Sequence, residues 1–282
     1  MPSFFSSKLV KERINEIDIK TQIIIIENSQ NRDLKEELEK NYNNVKVIIP
    51  EKNLGWAKAI NLGIKQVKTK FIFITQPDVK LINNCIGQLK TLAKEFQDFS
   101  ILTPVDLNDK SYKNYELQDS EDYKNINKFM IKEVNHVDLT WLINRSKFNE
   151  KNLWDENIFL YFEAQDFAKR VKDKNDKIYI VKNINTYHIG SASHDFKYEK
   201  YSILNRSWHY NWSRHYYNNK HFGAFYAYKK SFSLLFRLLL KLLSSFISFK
   251  FSKSKFVLVE IYGLLSSMIG LPSFYRPFSK IK

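Results

Sequence analysis

Short apolar runs alternate with longer amphipathic stretches over the first two thirds of this chain. Ile23-Ile-Ile-Ile26, Val45–Ile49, Phe71–Thr75 and Ile101–Thr103 are near-continuous apolar runs, the pattern of strands covered on both faces. Between them lie stretches with helical spacing: Leu9–Ile17 with Ser6 or Ser7 as N-cap, residues 32–42, Trp56 to about Val67, and Leu81–Phe96. Val137–Ile143, Ile178–Val181 and Thr186–His188 read as further strands, and Ile158–Phe162 leads into a helix over Glu163–Val171. Residues 106–135 are polar and read as an irregular insertion. The alternation predicts an α/β fold built on a doubly wound, mixed but mostly parallel sheet. No internal repeat is present.

The pattern changes after about residue 195. Tyr, Trp, His, Arg and Asn crowd residues 198–228, and Ser231–Phe249 is rich in Leu and Phe. Ser233, Arg237, Lys241, Ser244 and Ser248 recur there at helical spacing as one polar stripe. The charge-free runs fall short of the roughly 20 apolar residues that a spanning helix needs. A basic amphipathic helix of this kind is expected to lie in a membrane interface; the alternative is a helix packed on the domain with its stripe in water. Phe256–Leu271, which contains Glu260, reads as a second such helix. We therefore divide the chain into residues 1–195 and a basic, aromatic, helical region at 196–282.

Charge sharpens that division. The net charge is +15, yet residues 195–282 hold fifteen of the 45 Lys and Arg and three of the 30 acidic residues. The remaining two thirds resemble an ordinary domain. Nucleic acid is not an expected partner, because the charge sits on a leucine-rich amphipathic helix instead of a polar surface. With 44% hydrophobic residues, 7 Gly and 6 Pro, the chain can build a core and is not low-complexity. The single Cys85 excludes an intramolecular disulfide and reads as a packing residue. No signal peptide is visible at Met1-Pro-Ser-Phe-Phe-Ser-Ser.

Candidate chemistry centres on Asp78, the carboxylate that ends the apolar run Phe71-Ile-Phe-Ile-Thr-Gln-Pro-Asp78. Ligands of open α/β sheets bind where the carboxyl ends of strands fan apart, and a carboxylate there can hold a divalent cation. Upstream stands Asn53-Leu-Gly55-Trp-Ala57-Lys-Ala59-Ile-Asn61-Leu-Gly63, and Gln76-Pro77-Asp78-Val79 follows the strand. Further on come Trp154-Asp155-Glu156, Tyr161, Glu163-Ala164-Gln165-Asp166-Phe167-Ala168-Lys169-Arg170, and His188-Ile-Gly190-Ser191. This ordered series resembles the signature of family 2 glycosyltransferases, inverting enzymes of the GT-A fold, and most resembles their bacterial rhamnosyltransferase-like branch. It covers residues 5–195, and Gly270–Pro277 also looks like endings seen in that branch.

The resemblance implies a GT-A domain over 1–195 that takes a nucleotide-diphosphate sugar donor and a lipid-linked or polysaccharide acceptor, with residues 106–135 helping to select the acceptor. Glu27, at the end of its strand, is expected against the nucleotide base or ribose. Asn53, Gly55 and Asn61 are expected around the same cleft, Gly55 letting the backbone approach the ligand. Asp78 would hold Mg2+ or Mn2+ bridging the diphosphate. His188 would be a second ligand or a diphosphate contact, and an imidazole ligand tilts the choice toward Mn2+. Gln76 stands where many relatives carry Asp or Asn. Transfer also needs a base for the acceptor hydroxyl. The family uses the second acid of its Glu-Asp pair, and Ala164 stands there. Glu163 or Asp166 could substitute, the pattern could shift by a residue, or the protein could bind nucleotide sugar or a partner without efficient transfer. Arg170 is expected to pair with Asp166. The family's first strand is expected to be missing, since the chain opens at that strand's end, which points to a start upstream. A basic C-terminal region would hold such an enzyme on the inner face of the cell membrane, in cell-envelope polysaccharide synthesis.

Overall fold

The computed structural model describes residues 1–109, 115–117, 123–150, 152–190, 199–249 and 251–277. Two compact units result, one of Met1–Trp154 with Ala164–Asp195, the other of Asp155–Glu163 with Phe196–Lys282.

In the first unit the early elements are β1 (Pro2–Ser3), α1 (Ser7–Asn15), β2 (Ile23–Glu27), α2 (Arg32–Asn41) and β3 (Val45–Ile48). β1, β2 and β3 form a three-stranded parallel sheet in that order, with Ile23 opposite Val45. β1 is two residues long, and Asn28 N–H extends its pairing by donating to Ser3 C=O at 2.8 Å. α1 and α2 bury Val10, Ile14, Leu34 and Leu38 against this sheet. Asn31 caps α2 by accepting from Leu34 N–H at 2.9 Å. α1 begins at Ser7 as expected, but the Ser6 hydroxyl turns back to donate to Phe4 C=O instead of capping.

The rest of the unit runs α3 (Gly55–Lys65), β4 (Phe71–Ile74), β5 (Val79–Leu81), α4 (Cys85–Glu95), β6 (Ile101–Asp106), β7 (Tyr115–Leu117), β8 (Lys124–Ile126), β9 (Phe129–Val137), β10 (Trp141–Asn144), α5 (Glu163–Asp173) and β11 (Ile178–His188). The larger sheet has the order β4-β10-β6-β11-β9-β7, with β5 on β11 and β8 on β9. Alternate residues of its strands feed two cores. Ile72, Ile74, Ile143 and Ile180 meet Ile60, Ile64, Phe167 and Val171 of α3 and α5. Leu102, Leu142, Tyr179 and Val181 meet Leu89 and Leu92 of α4. Coverage on both faces is why these strands read as unbroken apolar runs. Cys85 is one of the packing residues, and burial pushes its thiol up to about 12.

The α/β class and the mixed sheet match expectation; the share of parallel pairing is lower. Among the described residues, parallel pairs join β1–β2, β2–β3 and β6–β11, and the other pairs are antiparallel. Part of the difference comes from residues 106–135, expected to be irregular, and part from β5 and β10, which also pair antiparallel. Residues 106–135 supply β9, whose Phe129, Ile131, Val134 and Val137 are buried. Apart from Met130 its remaining positions are polar, so the segment is half-buried and escapes a search for continuous apolarity. Residues 110–114 and 118–122 of that expected loop lie outside the described residues.

The second unit comprises residues 155–163 and three helices, α6 (Glu199–Phe222), α7 (Ala224–Ile247) and α8 (Phe251–Met268). The region read as a basic tail is thus a packed helical unit with its own core. Leu238, Val257, Ile261, Leu264 and Met268 cluster between α7 and α8. Fully buried Trp208 stacks on Trp212 and Tyr275. Gly223, at φ 82°, turns the chain between α6 and α7, a conformation open to glycine at low cost. No described helix is long and apolar enough to cross a membrane.

Residues 155–163 are tied to α6 by polar bonds. Asp155 accepts from Tyr216 OH at 2.9 Å and Lys220 Nζ at 2.6 Å. Burial opposes ionisation of Asp155, yet these bonds, with one from Asn157, hold its carboxyl below the usual range. Leu160 C=O accepts from Ser213, and the Arg206 guanidinium donates to Tyr161 OH at 2.8 Å.

Two predictions follow from the helical packing. A Cβ at Gly263 would lie 2.3 Å from the backbone oxygen of Trp208, so Gly263→Ala should lower stability by about 3 kcal/mol. An unchanged urea midpoint, read by tryptophan fluorescence, would contradict that close crossing. His209 is fully buried, and its ring nitrogens meet Tyr275 C=O at 2.9 Å and Ser273 Oγ at 3.0 Å. Burial pushes it down to about 3, with the Arg276 charge adding to the effect against the Tyr275 bond. Between pH 6.5 and about 3 the unfolded chain binds a proton that the folded chain excludes. Stability should therefore fall on acidification by up to about 1.4 kcal/mol per pH unit from this group. The urea midpoint of His209→Gln should depend less on pH over that window than that of the wild type.

Candidate active site

Strand register builds the first group of polar residues. β5 pairs antiparallel with the end of β11 so that Val79 faces His188. Asp78, one residue earlier, therefore sits beside His188, and Ile189 N–H donates to Asp78 C=O at 2.9 Å. Asp78 Oδ2 lies 3.4 Å from His188 Nε2. The Asp78 side chain is buried, and its Oδ1 has no hydrogen-bond partner. A buried carboxylate oxygen without a donor is costly, and a bound cation would satisfy it. Asp106, the last residue of β6, accepts from His188 N–H at 2.9 Å and from Asn108 N–H at 3.1 Å. The hydrogen bond to Asp78, and then the charges of Asp78, Asp106 and Asp138, lift the His188 imidazole above its ordinary range against burial. Asp138 follows β9; burial raises its carboxyl against the pull of His136 and His188.

Asp106, His136 and Asp138 were not anticipated. Asp106 carries the signal that marked Asp78, a carboxylate at the carboxyl end of an apolar strand. Asp138 interrupts the apolar run Val137–Ile143, another readable sign of an unusual environment. Of the expected residues, Asp78 and His188 are brought together, whereas Ser191 lies outside the described residues. As cation donors the pair offers Asp78 Oδ1 and the imidazole. Among the described residues no group of three or more His, Cys, Asp or Glu is arranged to hold a metal ion. A cation here would take its other ligands from phosphate oxygens and water, the usual habit of Mg2+ at phosphate sites.

The second group forms where β2 and β3 end. Glu27 is buried; its Oε1 accepts from Ser29 N–H at 2.8 Å and from the Ser29 hydroxyl, and its Oε2 has no hydrogen-bond partner. Next to it Asn28 clamps the loop before α3, donating to Gly55 C=O at 3.3 Å and accepting from Leu54 N–H at 3.1 Å. The Asn53 side chain accepts from Gly55 N–H at 2.9 Å, shaping the same turn, and Gly55 has φ 75°. A cavity of about 550 Å³ is lined by Gln30, Arg32, Lys35, Glu36, Ile49, Pro50 and Glu51.

Asn61 and Asp166, expected in the cleft and in catalysis, are placed elsewhere. Asn61 is fully buried; its amide donates to Trp154 C=O at 2.9 Å and accepts from Trp154 N–H at 3.1 Å. It brackets a backbone inside the core, because its turn of α3 faces inward. Asp166 is 0% exposed and pairs with Arg170 Nε at 2.9 Å, as the spacing predicted; Arg170 also donates to Leu153 C=O at 2.6 Å. The Asp166 carboxylate is thus committed to an ion pair in the interior. Ala164 faces the α/β core. Glu163 opens α5 and groups with the helical unit, directly after Tyr161 and Phe162, which have φ 67° and 65°. Consecutive left-handed aromatic residues cost on the order of 1–3 kcal/mol each and are found where function over-determines the backbone.

The family model of Glycosyl transferase family 2 matches residues 1–162. No curated protein matches the sequence. Among solved structures, the mannosyltransferase PcManGT from Pyrobaculum calidifontis, in complex with GDP-Man and Mn2+, superposes with a TM-score of 0.56 at 10% identity, over 95% of this chain and 85% of its own. GalNAc-T7 with UDP, GalNAc and Mn2+ gives 0.50 at 16% identity, over 66% of this chain and 42% of its own. TarS of S. aureus gives 0.50 at 14% identity, over 72% and 37%. This chain therefore spans less than half the length of the last two. At these identities the likeness shows a shared GT-A fold.

Asn61→Ala would leave both Trp154 backbone groups buried without partners. It should cost about 2–4 kcal/mol in urea unfolding, with the emission of Trp154 reporting the loss. A cost below about 1 kcal/mol would show that the bracket is dispensable.

Proposed function

Because the chain belongs to Glycosyl transferase family 2, we propose that it transfers a sugar from a nucleotide-diphosphate donor with the help of a divalent cation. The observation that carries this reading is the buried, unpartnered Oδ1 of Asp78 beside His188 at the carboxyl end of β4. A cation held by these two side chains would neutralise charge on the departing diphosphate. The Mn2+ present in PcManGT and GalNAc-T7 supports a metal of this kind. Glu27, with its own unpartnered oxygen, is the proposed nucleoside contact, and Asn28, Asn53 and Gly55 shape the loop beside it.

The finer features rest on the motif series. We place the acceptor among lipid-linked or surface-polysaccharide precursors, at the inner face of the cell membrane in envelope synthesis, with an inverting mechanism and a hexosyl or rhamnosyl donor. With Asp166 buried, Glu163 is the proposed base. A second reading, a protein that binds nucleotide sugar or a partner without efficient transfer, is favoured by Ala164. Alanine carries no group that can take a proton, and that side chain is 3% exposed.

Release of nucleoside diphosphate from a panel of UDP-, GDP- and dTDP-sugars, with Mn2+ or Mg2+ and a lipid extract, separates the two readings. Metal-dependent release that falls roughly 100-fold in Asp78→Asn is the expected result. Full turnover in Asp78→Asn would refute the metal assignment. Nucleotide binding without turnover in the wild type would favour the second reading.

A further inference from the structure

α7 is packed with its small side inward. Its buried positions are Ala227, Ser231, Leu238 and Ser245. Phe225, Phe232, Phe236, Leu240, Leu243 and Ile247, spaced seven, four, four, three and four apart, form one face turned to solvent. Phe225 is 85% exposed and Ile247 70%. The face continues for about 33 Å at helical rise. α8 also exposes Phe251, Leu258, Tyr262 and Leu265, while its inward side mixes Ser254, Gly263, Ser266 and Ser267 with Val257, Ile261, Leu264 and Met268. The inner contacts include polar pairs, with Ser245 Oγ 2.7 Å from Ser254 Oγ and His215 Nδ1 2.8 Å from Ser231 Oγ.

Helices of a water-soluble protein turn their widest apolar face to the core. Small residues and hydroxyls within, with Phe and Leu without, is the order found where the surroundings are themselves apolar. Monomeric proteins rarely expose contiguous apolar patches larger than a few hundred Å². The charge beside these ridges selects the occupant. α7 carries Lys229, Lys230, Arg237 and Lys241 and no acidic residue; α8 adds Lys253 and Lys255 near its start. Its one acid, Glu260, is paired with Lys241 at 3.1 Å. A second copy would bring the same positive charge to the same surface, whereas anionic headgroups complement it.

We propose that the apolar ridges of α7 and α8 are a docking surface for an anionic lipid bilayer, the helices lying in the plane of the interface with their Lys and Arg at headgroup level. This deepens the reading of a membrane-borne acceptor, but it rests on the surface and not on transfer.

Flotation of the full chain with vesicles of phosphatidylglycerol and phosphatidylcholine, without nucleotide or metal, tests it. The wild type should float with them, and binding should fall at least about tenfold on pure phosphatidylcholine or in high salt. The double variants Phe232→Ser/Phe236→Ser and Leu240→Ser/Leu243→Ser should each lose binding by a similar factor while unfolding at the wild-type midpoint. Ile19→Ser, which removes an exposed apolar side chain of the first unit, should bind as the wild type does. Equal flotation of wild type and both double variants, or no flotation of the wild type, would overturn the proposal. So would a concentration-dependent dimer in light scattering that both variants dissolve while the wild type ignores vesicles. Nucleoside diphosphate release measured without vesicles reports on the transferase alone, so failure of either idea can be told from failure of the other.

Discussion

The reciprocal bond between Asn61 and the backbone of Trp154 fixes the point on which much of the first unit converges. Both partners are buried, so neither bond can be exchanged for water without loss. The indole of Trp154 packs against Trp56, Trp141 and Phe167. Arg170 adds a further tie one residue upstream at Leu153, and Asp166 orients that guanidinium. One helix, α3, thus anchors a stretch of chain more than ninety residues away in sequence, and α5 anchors the same stretch from the other side. The chain leaves the first unit immediately after this anchor.

The polar groups of the larger sheet obey a comparable constraint. Asp78 and His188 meet because β5 is short and registered against the last residues of β11. Asp106 reaches the same backbone from the neighbouring strand, β6. Moving β5 by one residue would turn its side chains to the opposite face. The chemistry therefore depends on three strand ends whose hydrophobic faces are fully committed to the cores beneath them. Rigidity there is inherited from packing, and the charged groups add little to stability themselves.

Much of this was legible in the sequence, for identifiable reasons. Ile23–Ile26, Val45–Ile49 and Phe71–Thr75 match β2, β3 and β4 closely, because strands covered on both faces leave an unbroken apolar signature. β9 was missed because it is half polar. The position of Asp78 was readable, since a carboxylate at the end of such a strand is conspicuous. The inward turn of Asn61 was not: spacing along a helix shows which residues share a face but not whether that face meets a cleft or a core. For the same reason the Leu- and Phe-rich face of α7 gave no hint that Ala227, Ser231 and Ser245 would be the buried side. The family series named Glu163 and Asp166 together, and burial separates them.

The segment 155–163 is encoded between two parts of the α/β unit but packs with α6. During synthesis it emerges well ahead of residues 199–222, a delay on the order of seconds at ordinary translation speeds. Over that interval Asp155 lacks Lys220 and Tyr216, and Tyr161 lacks Arg206. The strained backbone at Tyr161 and Phe162 therefore lacks these α6 contacts until α6 has been made. The turn that opens α5 therefore completes these contacts only after α6 emerges, although it lies near the middle of the chain. Its shape is written by residues that the ribosome has yet to deliver.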